Sequence, residues 1–555
     1  MPTNSSSEPD FVDLPETPDT GGAYPRLTDE QILYLSQYGD RKRVAKGTIL
    51  FREGDLDCGL FVVLDGRVRV LNHQTPTAAS RLIAIHGRGR FVGDLSMLTG
   101  QAVYVTAVAQ TDIEVLEVVY DQLREAVAQN QTLGDLILRA FILRRALHVD
   151  LGIGLRIIGS RFSVDTRRLR DFAGRNRVPY RWHDLEDDAD AESTLRAFEI
   201  SPDQTPIVIW NGSTVLRNPS NTELAELLGL RHDAPVRDAF DIIVVGAGPA
   251  GLAAAVGAAS EGLSVVVLDA IATGGQAGTS SLIENYLGFP AGISGAELAD
   301  RAVVQARKFG AAFMVPGEAQ SLDNSDGQFV VGLTDGSQVG AHSVVLATGV
   351  RFRRLAALGA DRFEGPSIYY AATEFEARTC RGEPVMIVGG GNSAGQAALF
   401  LARTAAEVNL VIRHDDLNRD MSRYLADRII AAPRVRVWRT CEVCELNGDQ
   451  RLEEVVVRDK RTGERRSFRA SALFVLIGSE PHTQWLKETI ALDTRGFVVV
   501  GQSPRGAKMF ETSSAGVFAI GDVRSGSVKR VASAVGDGAV AVRLVYEHLV
   551  GAGRR

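Results

Sequence analysis

The residues whose types and spacing point most directly to chemistry lie in Asp241-Ile-Ile-Val-Val-Gly-Ala-Gly-Pro-Ala-Gly251 and the later Val-Leu-Asp269. A β-branched apolar run feeds Gly246-x-Gly248-x-x-Gly251, a small-residue helix follows, and an acid closes the next apolar run. Gly246 permits a tight strand-to-helix turn, Gly248 lets a pyrophosphate approach the backbone, and Gly251 lets the helix pack on the strand. Asp269 stands at about the 20-residue spacing at which such units place an acceptor for a ribose hydroxyl. The pattern predicts a βαβ unit that binds a dinucleotide with its pyrophosphate at a helix N-terminus.

A second such pattern is Val385-Met-Ile-Val-Gly389-Gly-Gly391-Asn392-Ser393-Ala394, with Ala394 in the third glycine's place. Its next strand, Val408-Asn-Leu-Val-Ile, ends in Arg413-His414 instead of an acid. A carboxylate there would select a ribose 2′-hydroxyl, whereas cations suit a 2′-phosphate. NADPH is therefore expected at this site, with Arg419 and Arg423 close by in sequence. The chain also holds one literal Cys-x-x-Cys, Cys441-Glu-Val-Cys444, inside an alternating strand pattern. An offset of three in a strand sends side chains to opposite faces, about 10 Å apart along the chain. A disulfide needs Cα atoms within roughly 7 Å, so without a bulge the pair cannot close.

The elements that must position these residues belong to a long, ordinary globular chain. Its 555 residues predict three or four domains. Hydrophobic content of 45% and charged content of 23% are typical of such proteins, and a net charge of −7 gives nucleic acid no general attraction. No apolar run approaches the roughly 20 residues that cross a bilayer. Residues 1–26, rich in Ser, Pro, Thr and acids, read as a disordered tail. Four cysteines predict a reducing cytoplasm without a disulfide framework, and nine histidines show no metal-ligand spacing. The expected fold is a multi-domain α/β protein with two nested Rossmann-like domains, preceded by a β jelly roll and a thioredoxin-like domain. Expected boundaries are 27–150 for the jelly roll and 151–235 for the thioredoxin-like domain. The first dinucleotide-binding domain takes 236–351 and 476–555, and the second, for NAD(P)H, takes 352–475.

In the first of these regions, short β-rich runs such as Thr48–Asp55, Leu60–Gly66 and Val68–Leu71 alternate with Gly-Asp turns. They resemble the cyclic-nucleotide-binding domain family, and Phe91-Val-Gly-Asp94-Leu-Ser-Met-Leu falls where that family has its phosphate-binding cassette. The acid is Asp94 rather than glutamate, and the family's arginine position falls on Val103, so no guanidinium fork meets a cyclic phosphate. A scaffold or dimerisation role is expected instead. Strands at Gly154–Ser160, Tyr180–Leu185 and Thr205–Trp210 resemble the thioredoxin or glutaredoxin fold, with Thr205-Pro206 where that fold keeps a cis-proline. Ser160-Arg-Phe-Ser163 stands in the place of its redox cysteines, and a hydroxyl cannot act as their thiolate.

From Asp241 onward, Gly275-Gln276, Ile283-Glu-Asn285, Val345-Leu-Ala-Thr-Gly349, Gly521-Asp522 and Lys529-Arg530 together resemble the low-molecular-weight thioredoxin-reductase family. The resemblance implies that Gly275, Gln276, Asn285, Gly521, Asp522, Lys529 and Arg530 line FAD, and that the protein is a homodimer. That family's redox Cys-x-x-Cys falls here on Tyr370-Ala-Ala-Thr373, and the nearest thiol, Cys380, stands alone. The expected function is an FAD-dependent NADPH oxidoreductase whose electrons leave to an acceptor other than an internal cysteine pair. Ferredoxin, flavodoxin, a quinone and oxygen are the candidate acceptors. No side chain is required as acid, base or nucleophile; Tyr369 or Tyr370, and Thr373, are candidates to lie near the flavin. Two alternatives stand beside this: a thioredoxin-disulfide reductase that uses a partner's dithiol, and a flavin- or nucleotide-responsive scaffold.

Overall fold

A computed structural model describes residues 14–19, 21–56, 58–72, 80–186, 188–198, 200–230, 239–280, 282–283, 285–325, 328–363, 367–370, 372, 374–449, 451–502 and 509–554. The chain forms two compact units. One comprises Met1–Asp238, Ala258–Thr273 and Arg301–Glu318; the other comprises Ala239–Gly257, Gly274–Asp300 and Ala319–Arg555.

In the first unit, alternating apolar residues build two four-stranded antiparallel sheets. One has the order Asp40–Val44, Ile113–Val118, Leu60–Asp65, Phe91–Val92; the other runs Ile49–Phe51, Thr106–Ala109, Val68–Asn72, Arg81–His86. Two helices follow, Tyr120–Gln129 and Gln131–Leu151; Asn130 ends the first and caps the second by accepting from the Leu133 N–H. The second helix buries Arg144, Arg145 and His148 as well as apolar residues. A further sheet has the order Tyr180–His183, Leu155–Ile158, Ile207–Trp210, Thr214–Arg217, its first two strands parallel and the rest antiparallel. The Thr205–Pro206 bond that enters its third strand is cis, as the strand context predicts.

This sheet shares a core with the barrel. The ring of Tyr104 meets Trp210 edge-on at 5.4 Å, and Leu155, Ile157 and Val208 join the same apolar cluster. The tail expected to run to residue 26 is corrected from Leu14 onward; residues 1–13 lie outside the described residues. Thr17 exchanges hydrogen bonds with the backbone of Ile85, and Ala23 and Tyr24 are buried. The polar composition hid this segment's anchor: Arg144, on the helix Gln131–Leu151, donates to the Ala23 carbonyl and lies over the Tyr24 ring.

Burial pushes His148 down from 6.5 to about 4 and lowers His86 well below its ordinary value. Both imidazoles are neutral in the folded barrel, while the unfolded chain takes up protons below about pH 6.5. Stability should therefore be full above pH 6.5 and fall progressively as the pH drops toward 4. Thermal unfolding across that window checks this, and a His148→Leu variant should show a shallower decline.

In the second unit, Phe240–Val245 runs parallel to Gln338–Leu346, which runs parallel to Val517–Ala519; Gln328–Leu333 and Ala319–Ser325 extend the sheet antiparallel. A five-stranded parallel sheet has the order Ile368–Tyr369, Ala472–Val475, Pro384–Val388, Glu407–Val411, Val435–Trp438. The two connections between these nucleotide-binding folds, Val350–Phe352 and Ser479–Pro481, pair antiparallel. The architecture is mixed α/β, with one Rossmann-like domain inserted into another. Among the described residues, no helix is long and apolar enough to cross a membrane.

Candidate functional site

The first fingerprint folds as its glycines require. Gly246 has φ 110°, a conformation L side chains rarely adopt, and a Cβ there would strike the Ala347 carbonyl oxygen. A Cβ on Gly251 would strike the Gly246 carbonyl oxygen. Gly248 and Gly275 face each other from different loops: a Cβ on Gly275 would lie 2.9 Å from the Gly248 Cα. The Gly274 N–H donates to the Ala247 carbonyl at 2.7 Å and ties the loops together. The two loops therefore meet glycine against glycine at the start of the helix Pro249–Ser260, where backbone N–H groups point outward from a helix N-terminus.

Gly521 is packed against this helix start, where a Cβ would lie 2.8 Å from the Ala250 Cβ. Its N–H donates to the Asp537 carboxylate at 3.0 Å, which also accepts from Arg524 at 3.1 Å. Sequence reasoning missed Asp537; its one signal is an acid among the small residues of the first two turns of the helix Val531–Gly551. Burial raises the Asp522 carboxyl, against the lowering effect of Lys529. Such a desolvated acceptor suits ribityl hydroxyls, whose donated bonds would favour its ionised form. The Gln276 side-chain amide donates to the Val350 carbonyl, at the first interdomain connection. Lys529 reaches the Ser479 hydroxyl at 3.4 Å on the second connection and lies 4.7 Å from the Phe497 ring centre. Asn285 is exposed, and Arg530 is exposed at the cap of the last helix.

Asp269 follows the strand Val265–Leu268, in the first unit. Its Oδ1 accepts from the Ile271 and Ala272 N–H groups at 3.1 and 3.2 Å and so shapes the turn after the strand. That turn is also held by Asn176, which donates to the Ile271 carbonyl at 2.9 Å, and by Arg177, which donates to the Thr273 hydroxyl at 3.1 Å. Nothing in the sequence pattern pointed to these two contacts.

At the second fingerprint, Gly389 has φ 148° and a Cβ would strike the Leu476 carbonyl oxygen. Gly391 caps the helix Asn392–Leu401, Ala394 is buried beneath it, and Ser393 is exposed in its first turn. The Asn392 Oδ1 accepts from the Ser422 N–H at 2.7 Å. Beyond the strand Glu407–Val411, Arg413 donates to the His414 Nε2 at 3.2 Å, and Arg419 approaches the Nδ1 at 2.9 Å. A neutral imidazole accepts at one nitrogen only. Two guanidinium groups thus crowd one acceptor, with Asp420 4.0 Å away as the countercharge. This is an environment for an anion. Arg423 is not part of it: its side chain is 90% exposed and faces Asp427.

Tyr370 stacks on Phe352, with ring centres 6.1 Å apart and planes 15° apart, while Tyr369 packs on Phe474. Thr373 lies outside the described residues. Each of the four cysteines is a thiol and not half of a disulfide. The strand Cys441–Asn447 does carry a bulge between Val443 and Glu445, the condition under which the two thiols could meet. They do not: Cys441 is buried in the core and donates to the Arg439 carbonyl, while Cys444, outside that core, donates to the Val456 carbonyl. Burial raises the Cys441 thiol, and raises Cys380 to about 11. In the sheet built on Leu155–Ile158 and Ile207–Trp210, the Ser160 hydroxyl donates to Glu186 at 2.6 Å, and Ser163 caps the next helix. In the barrel, Asp94 accepts from the Ser96 N–H and lies 3.7 Å from Arg145 and 3.9 Å from the neutral His148, and Val103 is buried. Among the described residues, no cluster of His, Cys, Asp and Glu could hold a metal ion.

Residues 240–538 match the pyridine nucleotide-disulphide oxidoreductase family, and residues 41–130 match the cyclic nucleotide-binding domain. The chain is 32% identical over 355 residues to NADPH-dependent thioredoxin reductase 3 of Arabidopsis thaliana, covering 61% of this chain and 65% of that one. It thus spans a little under two thirds of that relative's length. It is 33% identical to the thioredoxin reductase of Streptomyces clavuligerus, covering 54% of this chain and 91% of that one. The solved thioredoxin reductase of T. acidophilum superposes with a TM-score of 0.53 at 31% identity, covering 57% of this chain and all (100%) of that one.

Proposed function

Because the chain belongs to the pyridine nucleotide-disulphide oxidoreductase family, an enzyme family, we propose that it passes electrons from NADPH through FAD to an acceptor other than a cysteine pair of its own. When bound, FAD supplies the two-electron chemistry between nucleotide and acceptor. The protein's part is to bind and orient. The backbone around Gly246, Gly248, Gly251 and Gly275 receives the FAD pyrophosphate, with Asp269 for the adenosine ribose. Asp522, held in place through the Gly521–Asp537 bond, accepts from the ribityl chain; Gln276, Asn285, Lys529 and Arg530 border the ring. Gly389 to Ala394 receive the NADPH pyrophosphate, and Arg413, His414 and Arg419 its 2′-phosphate.

The observation that carries this reading is Tyr370, stacked on Phe352 in the segment where the thioredoxin-reductase resemblance implies a cysteine. The acceptor is a small redox protein such as ferredoxin, flavodoxin or a thioredoxin-like protein, or else a quinone or oxygen. The enzyme would work in the cytoplasm as a homodimer. The names of the relatives favour a second reading, thioredoxin-disulfide reductase, which would require a dithiol supplied by a partner.

Anaerobic titration of the FAD-loaded protein with NADPH separates the two. Bleaching should end at about one equivalent per flavin and be unchanged in a Cys441→Ser variant. Consumption of about two equivalents, or thioredoxin reduction lost on Cys441→Ser, would overturn the proposal. Bound FAD that NADPH does not bleach would favour the regulatory scaffold instead.

A further inference from the structure

The barrel encloses a buried cation that makes no ion pair among the described residues. Arg144 is 3% exposed and reaches three carbonyl oxygens: Ala23 at 2.7 Å, Gly93 at 2.6 Å and Phe91 at 3.1 Å. The rings of Tyr24, Phe91 and Phe141 surround it, with centres 4.6 to 5.8 Å away. Three of the five guanidinium N–H groups are thus engaged, which leaves two. The acids nearby are committed elsewhere. Asp94 faces Arg145 and His148, Glu16 faces Arg26 and Arg90, and Asp19 accepts from the Tyr24 N–H. Carbonyls and aromatic faces offset only part of the cost of burying a full charge.

Beside this guanidinium lies a cavity of about 20 Å³, lined by Tyr24, Ile83, His86, Val105, Arg144 and His148 among others. That volume holds one water or one ion of similar size; a nucleotide needs several hundred Å³. His86, 2% exposed, has an Nδ1 with no hydrogen-bond partner. The His148 Nδ1 likewise has no hydrogen bond, its nearest acid being Asp94 at 3.9 Å. Neutral imidazoles can each present one N–H to this space. Asp94 and Asp19 act on the Arg144 charge only from a distance, so the cavity joins a partly compensated positive charge to polar groups short of partners, inside apolar walls.

We propose that the barrel cavity is a binding site for a small monovalent anion, of halide, nitrite or nitrate size, held by Arg144 and His86. The segment carrying Ala23 and Tyr24 closes the site from one side, because its carbonyl and its ring are both held by the same guanidinium. The anion and the closed segment therefore support each other. The site departs from the cyclic-nucleotide resemblance in ligand and in the residues that hold it.

The test uses the full-length FAD-loaded protein and sodium bromide or sodium nitrate, with sodium sulfate at equal ionic strength as the control. Bromide and nitrate should raise Tm saturably where sulfate does not, and His86→Leu should move the half-saturating concentration at least tenfold. In crystals soaked in bromide, anomalous density should lie within hydrogen-bond distance of the Arg144 guanidinium. Should Arg144→Met fail to fold, His86→Leu and the density still decide the matter. Equal shifts with all three salts, or water alone in the cavity, would overturn the proposal. So would a larger shift with cyclic AMP, which would mean that Tyr24 yields to a nucleotide.

Discussion

A Gly246→Ala variant should retain less than about a tenth of the wild-type flavin, read as the visible-to-ultraviolet absorbance ratio after purification. The backbone at Gly246 has φ 110°, and the added Cβ would strike the Ala347 carbonyl oxygen. Holding a non-glycine residue in such a conformation costs about 1–3 kcal/mol before the clash is counted. The clash is with backbone of the neighbouring strand Gln338–Leu346 as it enters its loop, so a rotamer change cannot relieve it. The turn must open instead, and it is the turn that brings Gly248 toward Gly275. Gly248→Ala makes the informative comparison, because a Cβ there meets only the Gly275 Cα, at 3.9 Å. That chain should fold normally and lose flavin only because the methyl occupies pyrophosphate space. Full flavin content in both variants would show that the pyrophosphate lies elsewhere.

The second large effect concerns nucleotide choice. Arg413→Ala combined with Arg419→Ala should lower kcat/KM for NADPH at least a hundredfold while leaving NADH within a few-fold. Each charge-assisted hydrogen bond to a phosphate contributes roughly 1.5–3 kcal/mol. Two at the lower end come to about 3 kcal/mol, or about a hundredfold. The ratio between the nucleotides is the readout, because general damage would lower both. Arg423→Ala serves as the control: that exposed guanidinium faces Asp427 and should change neither. Equal losses with both nucleotides would remove the phosphate role from this cluster.

The two fingerprints were legible in the sequence because what they require is local. A tight strand-to-helix turn excludes side chains at Gly246, Gly251 and Gly389, and no distant residue relaxes that exclusion. The swap of an acid for Arg413-His414 was legible for the same reason, since the end of the second strand must border the ribose. Asp537 was not legible: it lies 16 residues after Gly521, and only the packing of the last helix brings its carboxylate to that N–H. The bulge in Cys441–Asn447 could not be read from alternation either, although the separation of its thiols could.

The barrel divides along the same line. Its strands, its cassette and the lack of an arginine at Val103 can all be read from residue types, because each is a matter of spacing along one segment. What fills its interior is another matter. Arg144 binds the carbonyl of a residue 121 positions earlier, and Arg145 turns toward Asp94. A helical pattern states which face is apolar but not which distant backbone will meet a cation on it. The sequence by itself therefore determined two glycine-turn fingerprints and the change from acid to base at the end of the second one's next strand, through the sterics of glycine turns and local residue type. Only the tertiary structure decided that the barrel closes over its own Tyr24 and a buried guanidinium, because that arrangement depends on groups brought together from opposite ends of the domain.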